Sequence, residues 1–360
     1  MMPPSHSSPS ARLLVTGGCG FLGCNIADAL AARGDWVLAL DNMSRVGAAD
    51  NAAWLRQRHG VRVRVEVGDI RDGDTVQTLV AGCAGVLHLA AQVAVTTSVD
   101  NPTEDFEVNA RGTLNLLEAI RCRNPKAPFL FASTNKVYGK ILDDEEIVRT
   151  EDRYVPAGEV FKRGIGEDAC LDFYSPYGCS KGVADQYARD YARVFGLRTA
   201  VLRMSCIYGP RQRGTEDQGW IAHFMLSAMR DEEVAVYGDG FQVRDALYVD
   251  DAVAAWLGAL DNIERVNGAV FNLGGGPGNS VSLRELLKMI AKLRGSAPRV
   301  RYAPWRPGDQ PWFVSDTRSL ASALEWAPRT PLRRGLAELH AWLERRFGRA
   351  DSAALEEAHA

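Results

Sequence analysis

Short apolar runs alternate with longer stretches of helical periodicity through the first half of the chain. Residues 13–15 read as a buried strand, and a glycine turn leads from them into a helix over 21–32. A second strand over 36–40 ends at Asp41, and a third over 62–67 ends at Gly68 and Asp69. Two more, 86–89 and 129–132, flank a long helix around 106–121, and 199–204 is a sixth. Strands this short, continuously apolar and separated by helices predict an α/β fold on a doubly wound parallel sheet. The second half is less regular. Residues 209–219 mix Gly, Pro, Gln and charge and predict a loop. Helices follow near 221–229, 249–260, 282–294 and 335–347, with strands at 234–237 and 269–273. The pattern divides the chain into a main domain over 11–208, to which segments near 240–275 return, and a smaller C-terminal α/β lobe of 209–239 and 276–347. Residues 1–10 read as a disordered leader and 348–360 as a mobile tail.

Composition works mainly by exclusion. A 46% hydrophobic and 24% charged chain is an ordinary globular one. Its net charge of −3 supplies no basic field for nucleic acid or acidic lipid. The basic run Arg345, Arg346 and Arg349 reads as a solvated helix face. No apolar stretch is long enough to span a bilayer. The seven cysteines (19, 24, 83, 122, 170, 179 and 206) are scattered, with no Cys-x-x-Cys pair and no histidine cluster. Neither a metal site nor a disulfide framework is expected, and the expected location is the cytoplasm.

Candidate chemistry begins at Thr16-Gly17-Gly18-Cys19-Gly20-Phe21-Leu22-Gly23, between the first strand and its helix. Glycines there allow a tight turn and close approach of backbone to a pyrophosphate, and the helix start supplies unpaired N–H groups. Two registers fit, Gly18-x-Gly20-x-x-Gly23 and Gly17-x-x-Gly20-x-x-Gly23. Glycines are common at helix starts, so the neighbours decide. Asp41, 18 positions after Gly23, is placed to accept from adenosine ribose hydroxyls and to repel a 2′-phosphate, which favours NAD over NADP. Arg45 is the one nearby residue that suits a 2′-phosphate. Asp69 is placed to accept from the adenine amine.

Tyr177-Gly178-Cys179-Ser180-Lys181 sets a phenol and an ammonium four residues apart, on one face of a helix. A phenol with a pKa near ~10 is a poor base, and a nearby cation lowers that pKa. Ser133 and Thr134 follow the fifth strand directly, where hydroxyls project into the ligand crevice of such a sheet. Either one can orient a substrate hydroxyl that Tyr177 deprotonates.

The glycine turn, Asp41, the strand-end hydroxyls and Tyr-x-x-x-Lys occur in the order of the extended short-chain dehydrogenase/reductase family, which the chain resembles over about residues 11 to 345. Further matches are His88-Leu89-Ala90-Ala91, Asn109 in Val108-Asn109-Ala110-Arg111-Gly112-Thr113, Val243-Arg244-Asp245 and Arg306-Pro307-Gly308-Asp309. The resemblance implies a Rossmann-like domain that holds NAD through Gly17, Gly20, Phe21, Leu22, Gly23, Asp41, Asn42, Asp69, Ile70, Leu89, Ala90, Ala91, Asn109, Tyr177 and Lys181. It implies catalysis by Tyr177, Lys181 and Thr134 or Ser133. A nucleotide-diphosphate sugar would lie against Gln92, Gln218, Trp220, Tyr237, Arg244, Arg306 and Asp309, with the two arginines forking the diphosphate. The resemblance also implies a homodimer or homotetramer.

Within the family, 4,6-dehydratases carry Asp-Glu after the strand-end threonine, and decarboxylases of sugar acids usually carry an acid there. This chain has Asn135-Lys136. An epimerase needs no such acid, because its keto sugar turns over and regains the hydride on the other face. Ser133-Thr134-Asn135-Lys136-Val137-Tyr138-Gly139, Ser175-Pro176-Tyr177-Gly178-Cys179-Ser180-Lys181 and Asp217-Gln218-Gly219-Trp220 resemble the 2-epimerases of CDP-linked sugars. A UDP-sugar 4-epimerase and a UDP-sugar-acid decarboxylase are the rival expectations, and a dinucleotide-sensing regulator is the non-enzymatic one.

Overall fold

A computed structural model describes residues 12–142, 146–158, 160–306 and 308–357. The leader expected over 1–10 lies outside the described residues. Five strands, β1 (Arg12–Thr16), β2 (Val37–Asp41), β3 (Val63–Val67), β4 (Cys83–His88) and β5 (Phe129–Thr134), join Thr199–Met204 and Ala269–Leu273 in one parallel sheet. Its order is β3-β2-β1-β4-β5, then Thr199–Met204, then Ala269–Leu273. The chain therefore reverses direction between β1 and β4, and the crevice at the carboxyl ends of those strands is where ligands bind in such sheets.

Strand alternation explains the layers. Leu13, Val15, Val37 and Ala39 point to one face and pack against the helices Phe21–Arg33 and Val249–Asp261. Leu14, Leu38 and Leu40 point to the other, against the helices Gly73–Ala81, Gly112–Arg123 and Pro176–Phe195. Both faces are thus covered, which is why the strands read as continuous apolar runs.

Smaller sheets sit beside the carboxyl end. Val234–Tyr237 pairs in parallel with Val300–Ala303. Val243–Tyr248 pairs with Ser280–Ser282, Trp312–Phe313 and Cys206–Tyr208. Two expectations need correction. The long helix starts earlier, at Pro102, and is interrupted by a π-turn at Glu107–Arg111 before continuing as Gly112–Arg123. The last helix runs Leu332–Glu357 rather than ending at 347, since the Ala- and Glu-rich sequence after Gly348 favours helix and contains no proline. Among the described residues, no helix is long and apolar enough to cross a membrane.

Candidate active site

The turn after β1 separates the roles of its glycines. Gly17 has φ +66°, and a Cβ there would lie 2.7 Å from the Ala90 nitrogen. A Cβ on Gly18 would strike Ala39, and one on Gly23 would lie 2.0 Å from the Gly17 carbonyl. These three positions are closed by protein. Gly20 differs: its Cβ would meet only the Gly17 carbonyl, at 3.2 Å. Gly20 is also the N-cap of helix α1 (Phe21–Arg33), and no side chain caps it. Open space over uncapped N–H groups suits a pyrophosphate, and Gly20 and Gly23 belong to both expected glycine registers. Phe21 and Leu22 form the first turn and lean on the core.

Asp41 ends β2 with its two carboxylate oxygens fixed by Cys19 N–H (3.0 Å) and Met43 N–H (2.9 Å). Each oxygen keeps a lone pair for a ribose hydroxyl. Asn42 donates to Asp69 at 3.1 Å, tying the ends of β2 and β3. The Arg71 guanidinium bonded to Asp69 holds that carboxyl down to about 2, against burial. Ile70 is core, packed over Gly112. After β4, Leu89 N–H donates to the Thr16 carbonyl and Ala90 N–H to the Thr16 hydroxyl, which presses 89–91 against the glycine turn.

Tyr177 and Lys181 lie in the first turns of the helix Pro176–Phe195, whose N-cap Ser175 accepts from Gly178 N–H. Both side chains are buried. The Thr134 hydroxyl acts on the Tyr177 phenol, favouring its charged form. Lys181 Nζ lies 4.3 Å from the centre of the Phe131 ring. The spacing predicted that Lys181 would lower the phenol pKa, but burial is the larger influence here. It pushes Tyr177 up to about 12, opposed by the Thr134 hydroxyl. It pushes Lys181 down to about 7, opposed by the charges of Asp105 and Asp185.

Ser133 and Thr134 separate cleanly. Ser133 Oγ donates to Asp185 at 2.7 Å, and Asp185 is forked by Arg203 at 2.9 and 3.0 Å. That ion pair is buried, so Ser133 is bound into the structure behind the crevice. Asn109 is equally occupied. Inside the π-turn it exchanges hydrogen bonds with the Gln92 backbone and donates to Asp105 and Ser180. The Gln92 side-chain amide is spent on Ala94 and Asp105. Asp105, absent from the sequence expectations, is the hub of this group. It accepts from Ser180, Asn109 and Gln92, and burial raises its pKa.

The expected sugar-nucleotide residues gather in two groups. Arg306 stacks on Tyr237, its guanidinium carbon 3.7 Å from the ring centre. It also pairs with Glu216 and Asp217 of the 209–219 loop, each at 3.4 Å. Tyr237 OH donates to Glu216, and Gln218 accepts from Arg45, linking this loop to the end of β2. In the second group Arg244 donates to Asp309 at 2.6 Å, and Lys136 reaches the same carboxylate. Trp220 begins the helix Trp220–Met229 with its indole N–H 3.3 Å from Cys206 Sγ.

The family model described as NAD dependent epimerase/dehydratase matches residues 13–274. The chain is 42% identical over 338 residues to CDP-paratose 2-epimerase of Salmonella typhi, covering 92% of this chain and 98% of that one. The structure of UDP-glucose 4-epimerase of Thermus thermophilus in complex with NAD has a TM-score of 0.78 to this fold at 32% identity, covering 92% of this chain and 99% of that one. That of UDP-glucuronic acid 4-epimerase of Bacillus cereus, in complex with UDP-glucuronic acid and NAD, has a TM-score of 0.80 at 25% identity, covering 93% and 100%. With a glycine turn and a Tyr-Lys pair set around the reversal point of the sheet, the chain belongs to the NAD dependent epimerase/dehydratase family, among the extended short-chain dehydrogenases/reductases.

Proposed function

We propose that this enzyme inverts one ring carbon of a nucleotide-diphosphate sugar through a keto sugar, without net oxidation. The observation that carries this reading is the buried Tyr177–Lys181 pair, one helical turn apart, with the Thr134 hydroxyl at the end of β5 favouring the phenolate. Thr134 orients the sugar hydroxyl and Tyr177 takes its proton. Lys181, when protonated, supplies positive charge to this pair and would hold the nicotinamide ribose. NAD, when bound at Gly17, Gly20, Gly23 and Asp41, supplies the acceptance and return of a hydride. Asn135, directed to Gln310 at 3.4 Å, and Lys136 provide no carboxylate for loss of water, which supports an epimerase over a dehydratase.

The substrate that best fits is a CDP-linked sugar inverted at carbon 2, supported by the 42% identity to the Salmonella typhi enzyme. Residues 209–239 and 276–347 form the substrate lobe, where Arg244 and Arg306 hold the diphosphate and Gln218, Trp220 and Tyr237 line the pocket. A cytoplasmic homodimer completes the proposal. It is supported by seven free cysteines and by Phe106, Tyr187, Val194 and Phe195 exposed on neighbouring helices. Proton NMR of the products from CDP-paratose, UDP-glucose and UDP-glucuronate tests the reading. Inversion at carbon 2 of the CDP sugar is the expected result. Inversion at carbon 4 of a UDP sugar would move the substrate, and carbon dioxide release would sink the epimerase.

A further inference from the structure

Lys136 has no task in the reaction as described, yet its position is unusual. Its backbone N–H donates to Thr134 Oγ1 at 3.2 Å, so it is fixed to the hydroxyl that faces Tyr177. Its side chain crosses to the 306–310 segment, where Nζ donates to the Gly308 carbonyl at 3.1 Å and stands 3.6 Å from Asp309 Oδ1. That same oxygen accepts from Arg244 Nη2 at 2.6 Å.

Two cations therefore converge on one carboxylate oxygen in a poorly solvated crevice, with side-chain exposures of 20% for Lys136 and 9% for Arg244. One carboxylate neutralises only one of them. Burial, reinforced by Arg244, holds the Lys136 ammonium below its usual range, and Asp309 opposes this. Like charges crowded away from water are stabilised by a further anion, and an ammonium and a guanidinium together suit a phosphate.

We propose that Lys136 and Arg244 seat the sugar-proximal phosphate of the nucleotide sugar, and that Lys136 thereby selects carbon 2 as the carbon that reacts. The proposal rests on the nucleotide-sugar reading above. Its logic is the connectivity of the substrate. Carbon 2 adjoins the anomeric carbon that carries the phosphate, whereas carbon 4 lies across the ring. With the phosphate held between Lys136 and Arg244, on the residue whose backbone bonds Thr134, carbon 2 is the ring carbon brought to the Thr134–Tyr177 pair, and carbon 4 points away. A cation at this position in place of an acid thus does two things. It removes the dehydratase chemistry and it sets the register of the sugar.

The test compares the NAD-loaded wild type with Lys136→Gln and Lys136→Arg by titration calorimetry against CDP and CMP. CDP carries the phosphate in question and CMP lacks it. Lys136→Gln should bind CDP about tenfold more weakly with CMP affinity unchanged, and Lys136→Arg should recover most of the loss. Unchanged CDP affinity, or equal losses for both nucleotides, would overturn the seat. Retained NAD binding in each variant shows that the fold survives. The wild-type product then separates the two layers. If it inverts carbon 4 while Lys136→Gln shows the selective CDP loss, the seat stands and the selection of carbon 2 falls, together with the 2-epimerase reading. A wild type that binds neither CDP nor UDP removes the nucleotide-sugar reading and this proposal with it.

Discussion

The cofactor site proposed at the β1–α1 turn offers a diphosphate backbone groups, while the proposed substrate site offers it side chains. The first region has Gly20 at an uncapped helix start, where an added Cβ would meet only the Gly17 carbonyl, at 3.2 Å. The second has Arg306, Arg244 and Lys136, every one of them already paired with Glu216, Asp217 or Asp309. Partial charges on fixed N–H groups need no counter-ion and do not titrate. Full charges on long side chains do need one, and a substrate must displace it. The difference suits the two ligands as proposed. The backbone site is built for a cofactor that remains through turnover, and the side-chain site for a substrate that exchanges.

The strongest way to break this contrast is to fill the backbone cradle. Gly20→Val has ordinary backbone geometry and its Cβ asks the Gly17 carbonyl, at 3.2 Å, to yield by a few tenths of an ångström, so it should fold, as a wild-type circular dichroism spectrum would show. It should lose about 3–6 kcal/mol of NAD binding, the worth of two charge-assisted hydrogen bonds, seen as loss of bound NAD on purification. Wild-type NAD content in that variant would mean the cradle is not the pyrophosphate site. Tyr177→Phe touches neither region. It should keep NAD and nucleotide binding and lose turnover by roughly 10²–10⁴-fold, the usual contribution of a positioned acid–base group. Arg306→Gln addresses the other side. Its KM for the nucleotide sugar should rise roughly tenfold with NAD affinity unchanged. Added salt should move wild-type KM the same way, because screening acts on the charged site. A parallel loss of NAD would erase the distinction. The smallest effect is expected from Asp105→Asn. Removing that negative charge lowers the pKa of Lys181 further below its value of about 7. If the reaction needs the ammonium, activity should fall away with rising pH roughly one unit earlier than in the wild type, read from the pH–kcat profile. An unmoved limb would show that Asp105 has only a structural role.

The same contrast explains what was legible in the sequence. The β1 turn, helix α1 and Asp41 are contiguous or nearly so, so the glycine turn and the acid that ends β2 follow from spacing alone. Tyr177 and Lys181 are four residues apart on one helix, so their shared face follows from periodicity. Their protonation does not follow, because burial is a property of the whole fold and outweighs the neighbouring charge. Asp105 was missed for a related reason. Its spacing to Asn109 was visible, but its bond to Ser180 spans 75 positions. Ser133 and Thr134 were indistinguishable by type, and only the sheet sends one to Asp185 and the other to Tyr177. In the substrate region Arg306 meets Glu216 from 90 positions away, and Val243–Tyr248 pairs with three distant short strands. No local pattern encodes such meetings.

In the mechanism proposed above, a hydride leaves the sugar and returns to the same carbon without exchanging with water. Turnover in deuterium oxide, followed by NMR of the recovered epimer, tests it most directly and does not depend on which carbon is inverted. The account predicts that the inverted carbon keeps its original hydrogen through complete equilibration. Deuterium appearing at that carbon would show inversion by proton exchange with solvent and would contradict transient oxidation.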